Sequence, residues 1–214
     1  MSLGTVSRAE PRVAAVVLAA GQSRRMGEVN KLLADIDGAP MVARVVDTIL
    51  ATRARPVVVV IGHEEARVRA ALAGRDVVFV HNPEHAEGMS TSLRAGLGRL
   101  GADVDGALVC LADMPRVRPT HLEALVGAFD PENGRAICVP TWEGRRGNPV
   151  LFATRYFAEM RLVQGDVGAR ALLERHAGAL WQVPMDDRGV TLDVDTPEAL
   201  DALSHDPPRE PRPR

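Results

Sequence analysis

The stretch LAAGQSRRMGEVNK at residues 18–31 brings two glycines, two adjacent arginines and a lysine together between a strand-like run and a helix-like one. Gly21 and Gly27 permit tight turns, and successive backbone amides in such a loop can surround an anion. Arg24, Arg25 and Lys31 supply positive charge that suits a polyphosphate better than a neutral ligand. The spacing fits neither G-x-G-x-x-G nor G-x-x-x-x-G-K-[ST], because Lys31 is followed by Leu32 and has no adjacent magnesium-binding hydroxyl. Taken alone, the stretch reads as a phosphate loop or as a basic surface loop, and its place after a strand favours the former.

Further along, Asp113 in LADMP follows the apolar run ALVCL, where an open parallel sheet gathers its ligands beyond the strand ends. A carboxylate there suits Mg²⁺, a hard cation that takes oxygen ligands; the other reading is a turn cap before Pro115. In GVTLDVDTPEAL the residues alternate so that Asp193 and Asp195 share one face of an expected strand, before Thr196-Pro197 opens a helix. GMSTSLRAG at 88–96 reads locally as a helix capped by Ser90 with Leu93 and Leu97 inward and Arg94 in solvent. Met26, Met89 and Met114 suit either a cleft lining or core filling. In GRRGNPVLF, Arg145 and Arg146 could receive an anion with Asn148 and Pro149 shaping its approach, or they could be solvated beside a structural turn. Gly165, Asp166 and Gly168 form an expected loop before another helix.

These residues need a frame. Apolar runs predict strands at 13–21, 54–62, 76–82, 106–115 and 135–140, with helical spacing at 39–52, 64–72, 90–100 and 121–129. Residues 142–151 read as a loop entering a strand, 156–160 and 167–176 as helices, and 181–185 and 190–195 as short strands. The alternation predicts an α/β sheet, and unbroken runs such as VVVVI predict helices on both of its faces. No linker divides residues 12–203, which are expected to form one domain, and SHDPPREPRPR at 204–214 is expected to be a disordered tail.

Composition narrows the function. With 26 basic and 28 acidic residues the formal charge is −2, and aromatics make up 3% of the chain, which excludes a general nucleic-acid or anionic-membrane surface and a base-stacking platform. No apolar run approaches 18 residues and the first dozen residues hold no apolar signal core, so a cytoplasmic location is expected. Cys110 and Cys138 lie in apolar runs and are expected to be buried thiols.

LAAGQSRRMGEVNKLL resembles the opening motif of the MobA-like nucleotidyltransferase superfamily, and within it the molybdenum cofactor cytidylyltransferases. The resemblance continues through NPEHAEGMSTSLRAGL, LADMPRV, GRRGNPVLF, GDVGARALL and DVDTPEAL, covering about residues 13–203. It implies a Rossmann-like three-layer fold with a predominantly parallel mixed sheet. It also implies that Leu18, Ala19, Ala20 and Gly21 lie against the base and sugar of an NTP, with Gly88 and Ser92 recognising a pyrimidine. Arg24 and Lys31 would bind phosphates and, with Asp113, carry the catalysis; Asp113 and Asp195 would hold Mg²⁺. Arg145, Arg146 and Asn148 become candidates for acceptor binding, although many such relatives have His where this chain has Asn148, and Asn cannot act as a histidine base. The implied reaction moves CMP from CTP to the terminal phosphate of molybdenum-loaded molybdopterin and releases pyrophosphate, with a molybdoenzyme or chaperone as a possible partner. The alternatives are a cytidylyltransferase acting on a sugar phosphate and a non-catalytic nucleotide or molybdenum-cofactor carrier. Asp113, Asp195 and Lys31 together disfavour the carrier, since storage does not require them all.

Overall fold

The structure is a computed structural model and describes residues 10–23, 30–165 and 170–205. The first strand of the described residues, β1 (Val13–Ala19), lies inside the main sheet, and the hairpin β2 (Asp35–Ile36) and β3 (Ala39–Pro40) stands apart from it. The other strands are β4 (Val57–Ile61), β5 (Val78–His81), β6 (Gly106–Leu111), β7 (Ile137–Trp142), β8 (Arg145–Arg146), β9 (Val150–Ala153) and β10 (Leu180–Pro184). The main sheet runs β10-β7-β9-β6-β1-β4-β5, and β8 pairs with β7. β1 is parallel to both β4 and β6, β4 is parallel to β5, and β10 is parallel to β7. β9 runs against both neighbours, so the sheet is mixed and mostly parallel, as expected.

Alternation along β1 sorts its side chains into two cores. Ala15, Val17 and Ala19 face the layer of α1 (Met41–Leu50), α2 (Glu65–Ala71) and α4 (Pro119–Ala128). Ala14 and Val16 face α3 (Met89–Gly98), α5 (Phe157–Met160) and α6 (Arg170–Arg175). α1 shows why a helix forms where it does: Val42, Val45, Val46 and Ile49 recur at helical spacing and are all buried. Each such side chain contributes about 1.5–3 kcal/mol by leaving water. The helix starts at Met41 rather than at the expected residue 39, because Ala39 and Pro40 are used by the β2-β3 hairpin. Every residue of VVVVI in β4 is buried, which is the consequence of helices on both faces.

The chain moves from β1 to β4 to β5 on one side, and α3 then carries it back across to β6 on the other side of β1. The reversal leaves a crevice at the carboxyl ends of β1 and β6, the usual ligand position in such sheets. Cys110 and Cys138 are buried free thiols, and burial pushes both up to about 12. The last helix, α7 (Pro197–His205), passes the expected domain boundary by two residues. The rest of the expected tail, 206–214, lies outside the described residues. Among the described residues no helix is long and apolar enough to cross a membrane.

α3 approaches the sheet closely because residue 96 is glycine: a Cβ there would overlap Val16 Cγ1 and lie 2.9 Å from Val60 Cγ2. Gly98 in the same helix meets nothing within 4 Å. Gly96→Ala should therefore lower stability by about 1–2 kcal/mol, overpacking outweighing the helix-propensity gain. Gly98→Ala, which takes the gain without the clash, should be neutral or stabilising. Chemical denaturation of both variants against the wild type checks the pair.

Candidate active site

β1 ends in Ala19-Ala20-Gly21 at the crevice floor, and a cleft of about 430 Å³ opens there. Leu18, Ala20 and Gly21 line it, as do Gly88 and Ser92 from the far wall and Lys31, Asp113 and Asp195 from the mouth. Eight of the expected site residues thus meet in one place. Ala19 does not join them, since its side chain points to the opposite face of the sheet and is buried in the core. Arg24 and Arg25, with Met26 and Gly27, lie outside the described residues, as do Asp166 and Gly168.

Lys31 is presented by a short turn, Lys31–Leu33, whose entry is capped by Asn30: its Oδ1 accepts from the Leu32 amide at 3.1 Å. Ser23 Oγ accepts from the Lys31 amide at 3.2 Å. The Lys31 ammonium then donates to Asp113 Oδ2 at 2.7 Å and to Asp195 Oδ1 at 2.6 Å. Burial works against the lysine's charge, but the two carboxylates outweigh it and raise its pKa. Asp113 is raised as well, burial prevailing over the pull of Lys31. Asp113 Oδ1 is buried and accepts no hydrogen bond from the described residues. Two acids facing one ammonium, with a carboxylate oxygen to spare, make a site in need of further positive charge.

The segment bearing Asp195 is a loop, not the expected strand. A 3-10 turn (Arg188–Thr191) is followed by extended chain, and the two make single bonds to separate partners: Asn148 donates its amide to Val190 O in the turn at 2.8 Å, and Val194 donates to Asp113 O at 3.0 Å. Asp193 is consequently exposed while Asp195 is half-buried. The loop is held from below by a clasp that the sequence did not disclose. The Arg118 guanidinium lies 2.6 Å from both Asp186 Oδ1 and Asp187 Oδ2. Buried His121 accepts the Arg118 amide on Nδ1 at 3.2 Å and faces Asp186 through Nε2 at 3.3 Å. Gly189 packs so tightly on the carbonyl of Arg116 that a Cβ would overlap it. His121, Asp186 and Asp187 have ligand atoms within 4.8 Å of one another, and Arg118 already occupies both acids, offsetting one of their two charges.

Arg145 and Arg146 are exposed in a hairpin with β7, turned by Glu143 (φ 48°) and Gly144 (φ 77°), where a loop was expected. Neither they nor half-buried Asn148 line the cleft. Gly88, not Ser90, precedes the first residue of α3, and Ser90 is buried inside the helix. Met89 lines the cleft and Met114 is core. Ser23, Asn82 and His85 lie inside the motifs LAAGQSRRMGEVNK and NPEHAEGMSTSLRAGL, but nothing in their type or spacing singled them out.

A profile of the MobA-like NTP transferase domain matches residues 15–180. The purine catabolism protein PucB of Bacillus subtilis (strain 168) is 34% identical over 206 residues, 90% of this chain and 96% of its own. A probable molybdenum cofactor guanylyltransferase of Natronomonas pharaonis is 36% identical over 115 residues, 54% of this chain and 56% of its own. The crystal structure of Rv0371c from Mycobacterium tuberculosis H37Rv superposes with a TM-score of 0.81 at 25% identity, covering 92% of this chain and all of that one. A manganese complex of that protein superposes at 0.75 and 26% identity, over 91% of this chain and 98% of that one.

Burial lowers the pKa of His121 from 6.5, with Asp187 pulling the other way. Below that pH the unfolded chain takes up a proton that the folded chain refuses, so stability present above it is lost as the pH falls through it. His121→Asn keeps an acceptor for the Arg118 amide and removes the titration. Its Tm should therefore decline less than that of the wild type between pH 7 and pH 5, as differential scanning calorimetry would show.

Proposed function

Since this chain belongs to the MobA-like NTP transferase family and is a nucleotidyltransferase, we propose that it transfers CMP from CTP to the terminal phosphate of molybdenum-loaded molybdopterin and releases pyrophosphate. The observation that carries the reading is the Lys31 ammonium set between Asp113 and Asp195 at the mouth of the switch-point cleft. The Ala-Ala-Gly end of β1 and the Gly88–Ser92 wall support a pyrimidine nucleotide, and the Natronomonas relative supports a molybdenum-cofactor acceptor. Residues 12–203 are the unit proposed to carry the activity.

In this reading the acceptor phosphate attacks the α-phosphorus, a new P–O–P bond forms and the α–β bridge breaks. The nucleophile is already anionic at neutral pH, so no protein base is needed and Asn148 in place of His is no obstacle. Lys31 reaches the β and γ phosphates and stabilises the charge that builds on the leaving group; Arg24 is assigned the same work. Arg145 and Arg146 draw the anionic acceptor toward the site, and the cleft walls hold the base so that attack is in line.

The donor set fits a hard divalent cation: two carboxylates converge, and Asp113 Oδ1 is buried with no hydrogen-bond partner among the described residues. Asp113 and Asp195 would hold Mg²⁺, which when bound screens the repulsion between anions and assists the displacement. Lys31 holds the same two carboxylates, and with a cation on them its ammonium would be available to the phosphates. The product would pass to a molybdoenzyme, directly or through a chaperone.

A matrix of four NTPs against molybdopterin and sugar-phosphate acceptors, read by product mass and pyrophosphate release, tests the reading. CMP transfer to molybdopterin is expected; GTP preference, or transfer only to a sugar phosphate, would overturn it. Lys31→Ala should slow single-turnover transfer by roughly 10²–10³ at saturating CTP. Without nucleotide, Mg²⁺ should raise the Tm of Lys31→Ala by more than that of the wild type, because the ammonium no longer competes. An equal or smaller shift would remove Lys31 from the metal-facing position.

A further inference from the structure

One wall of the cleft is held in a way that bears on which base it takes. His85 stands in the turn His85–Glu87 and lines the same cleft as Gly88 and Ser92. Its ring rests on Gly62, just beyond β4: a Cβ at residue 62 would come 2.7 Å from His85 Cβ and Cγ and 2.9 Å from Nδ1. Only glycine leaves the ring this seat. On the same edge, Nδ1 is 3.1 Å from the carbonyl oxygen of Asn82. A carbonyl only accepts, so Nδ1 carries the hydrogen, and in the neutral ring Nε2 is left as an acceptor. The Nδ1 edge is packed on Gly62, so the Nε2 edge is the one available to the cleft.

Asn82 is itself over-determined. It is buried, its amide donates to Ile61 O at 2.8 Å, and its Oδ1 accepts from the Glu84 amide at 3.0 Å. Its Nδ2 donates to Thr91 Oγ1 at 2.9 Å and to Ser92 Oγ at 3.0 Å. Ser92 therefore accepts from Asn82 and keeps its own hydrogen for a ligand. One buried residue thus sets the polarity of two groups on the wall, His85 as acceptor through its main-chain carbonyl and Ser92 as donor through its side-chain amide.

Cytosine offers an exocyclic amine beside a ring nitrogen and a carbonyl that accept, whereas uracil has a carbonyl where the amine would be. We infer that His85 is a specificity-determining residue whose Nε2 accepts the exocyclic amine of cytosine, with Gly62 and Asn82 fixing its orientation and tautomer, so that the site selects CTP over UTP. The inference rests on the cytidylyl reading above and adds to it the residue that discriminates between pyrimidines. Gly62 and Asn82 are positioning residues in this account, since neither needs to touch the nucleotide.

The test is calorimetric binding of CTP, UTP and GTP with Mg²⁺ at pH 8, using the wild type, His85→Leu and Gly62→Ala, without acceptor. The wild type should favour CTP over UTP. His85→Leu should cut that preference roughly tenfold, the worth of one net hydrogen bond, by weakening CTP while leaving UTP unchanged. Gly62→Ala, which displaces the ring while keeping the imidazole, should move the ratio in the same direction. An unchanged CTP-to-UTP ratio in both variants, with CTP still preferred by the wild type, overturns the role of His85 and leaves the cytidylyl reading standing. Equal weakening of CTP and UTP also overturns it, because it puts the imidazole on the ribose or phosphates. A wild type that prefers GTP overturns the cytidylyl reading together with this inference.

Discussion

One ammonium holds the architecture of the cleft together: Lys31 bridges two carboxylates that lie 82 and 164 residues further along the chain. Two acids placed so close at a partly buried position repel each other, and the repulsion grows as water is excluded. The lysine offsets that repulsion and joins the loop after β1, the loop after β6 and the loop before α7 in a single contact. The parallel pairing of β1 with β6 brings the first two together, and the bond from the Val194 amide to the Asp113 carbonyl brings the third. A formal negative charge remains on the trio, which suits it to a cation and a polyphosphate rather than to a neutral ligand.

Around this centre, precision comes from loops held by a few specific contacts. The Asp195 loop has no ladder of backbone bonds; it hangs on the Arg118-Asp186-Asp187 clasp, on the fit of Gly189 over Arg116 and on single amide bonds at Val190 and Val194. On the opposite wall the turn from Asn82 to Ser92 is set by buried Asn82, through its side-chain amide and its main-chain carbonyl, and by the absence of a Cβ at Gly62. The sheet is the rigid part, with both faces covered and β1 buried almost along its length. Chemistry is thereby assigned to loops on a fixed scaffold, where a nucleotide can enter without disturbing the core.

Much of this was legible in the residues. The runs VAAVVLA, VVVVI and GALVCL read as strands, unbroken apolar runs of that kind predict cover on both faces, and Asp113 directly follows one, where ligands collect in an open parallel sheet. Lys31, Gly21, Gly88 and Ser92 were visible as motif residues and do line one cleft. Other features were hidden because they depend on partners remote in sequence. DVD alternates like a strand, yet among the described residues no neighbouring strand offers it a ladder. Arg145 and Arg146 were read in a loop, yet a two-residue turn pairs them with Trp142 and Thr141.

What the sequence determined by itself was therefore the class of the fold and the kinds of group that could do chemistry, because hydrophobic period and residue type are local properties. It carried Asp113, Asp195 and Lys31 as separate candidates. Only the tertiary structure decided that the three form one cluster, that Ala19 turns away from it, and that His85 stands on the wall of the cleft with Asn82 buried behind it. Those outcomes depend on which strands become neighbours and on where a missing Cβ lets two segments touch. Both are set by packing across the whole chain, and no window of sequence contains them.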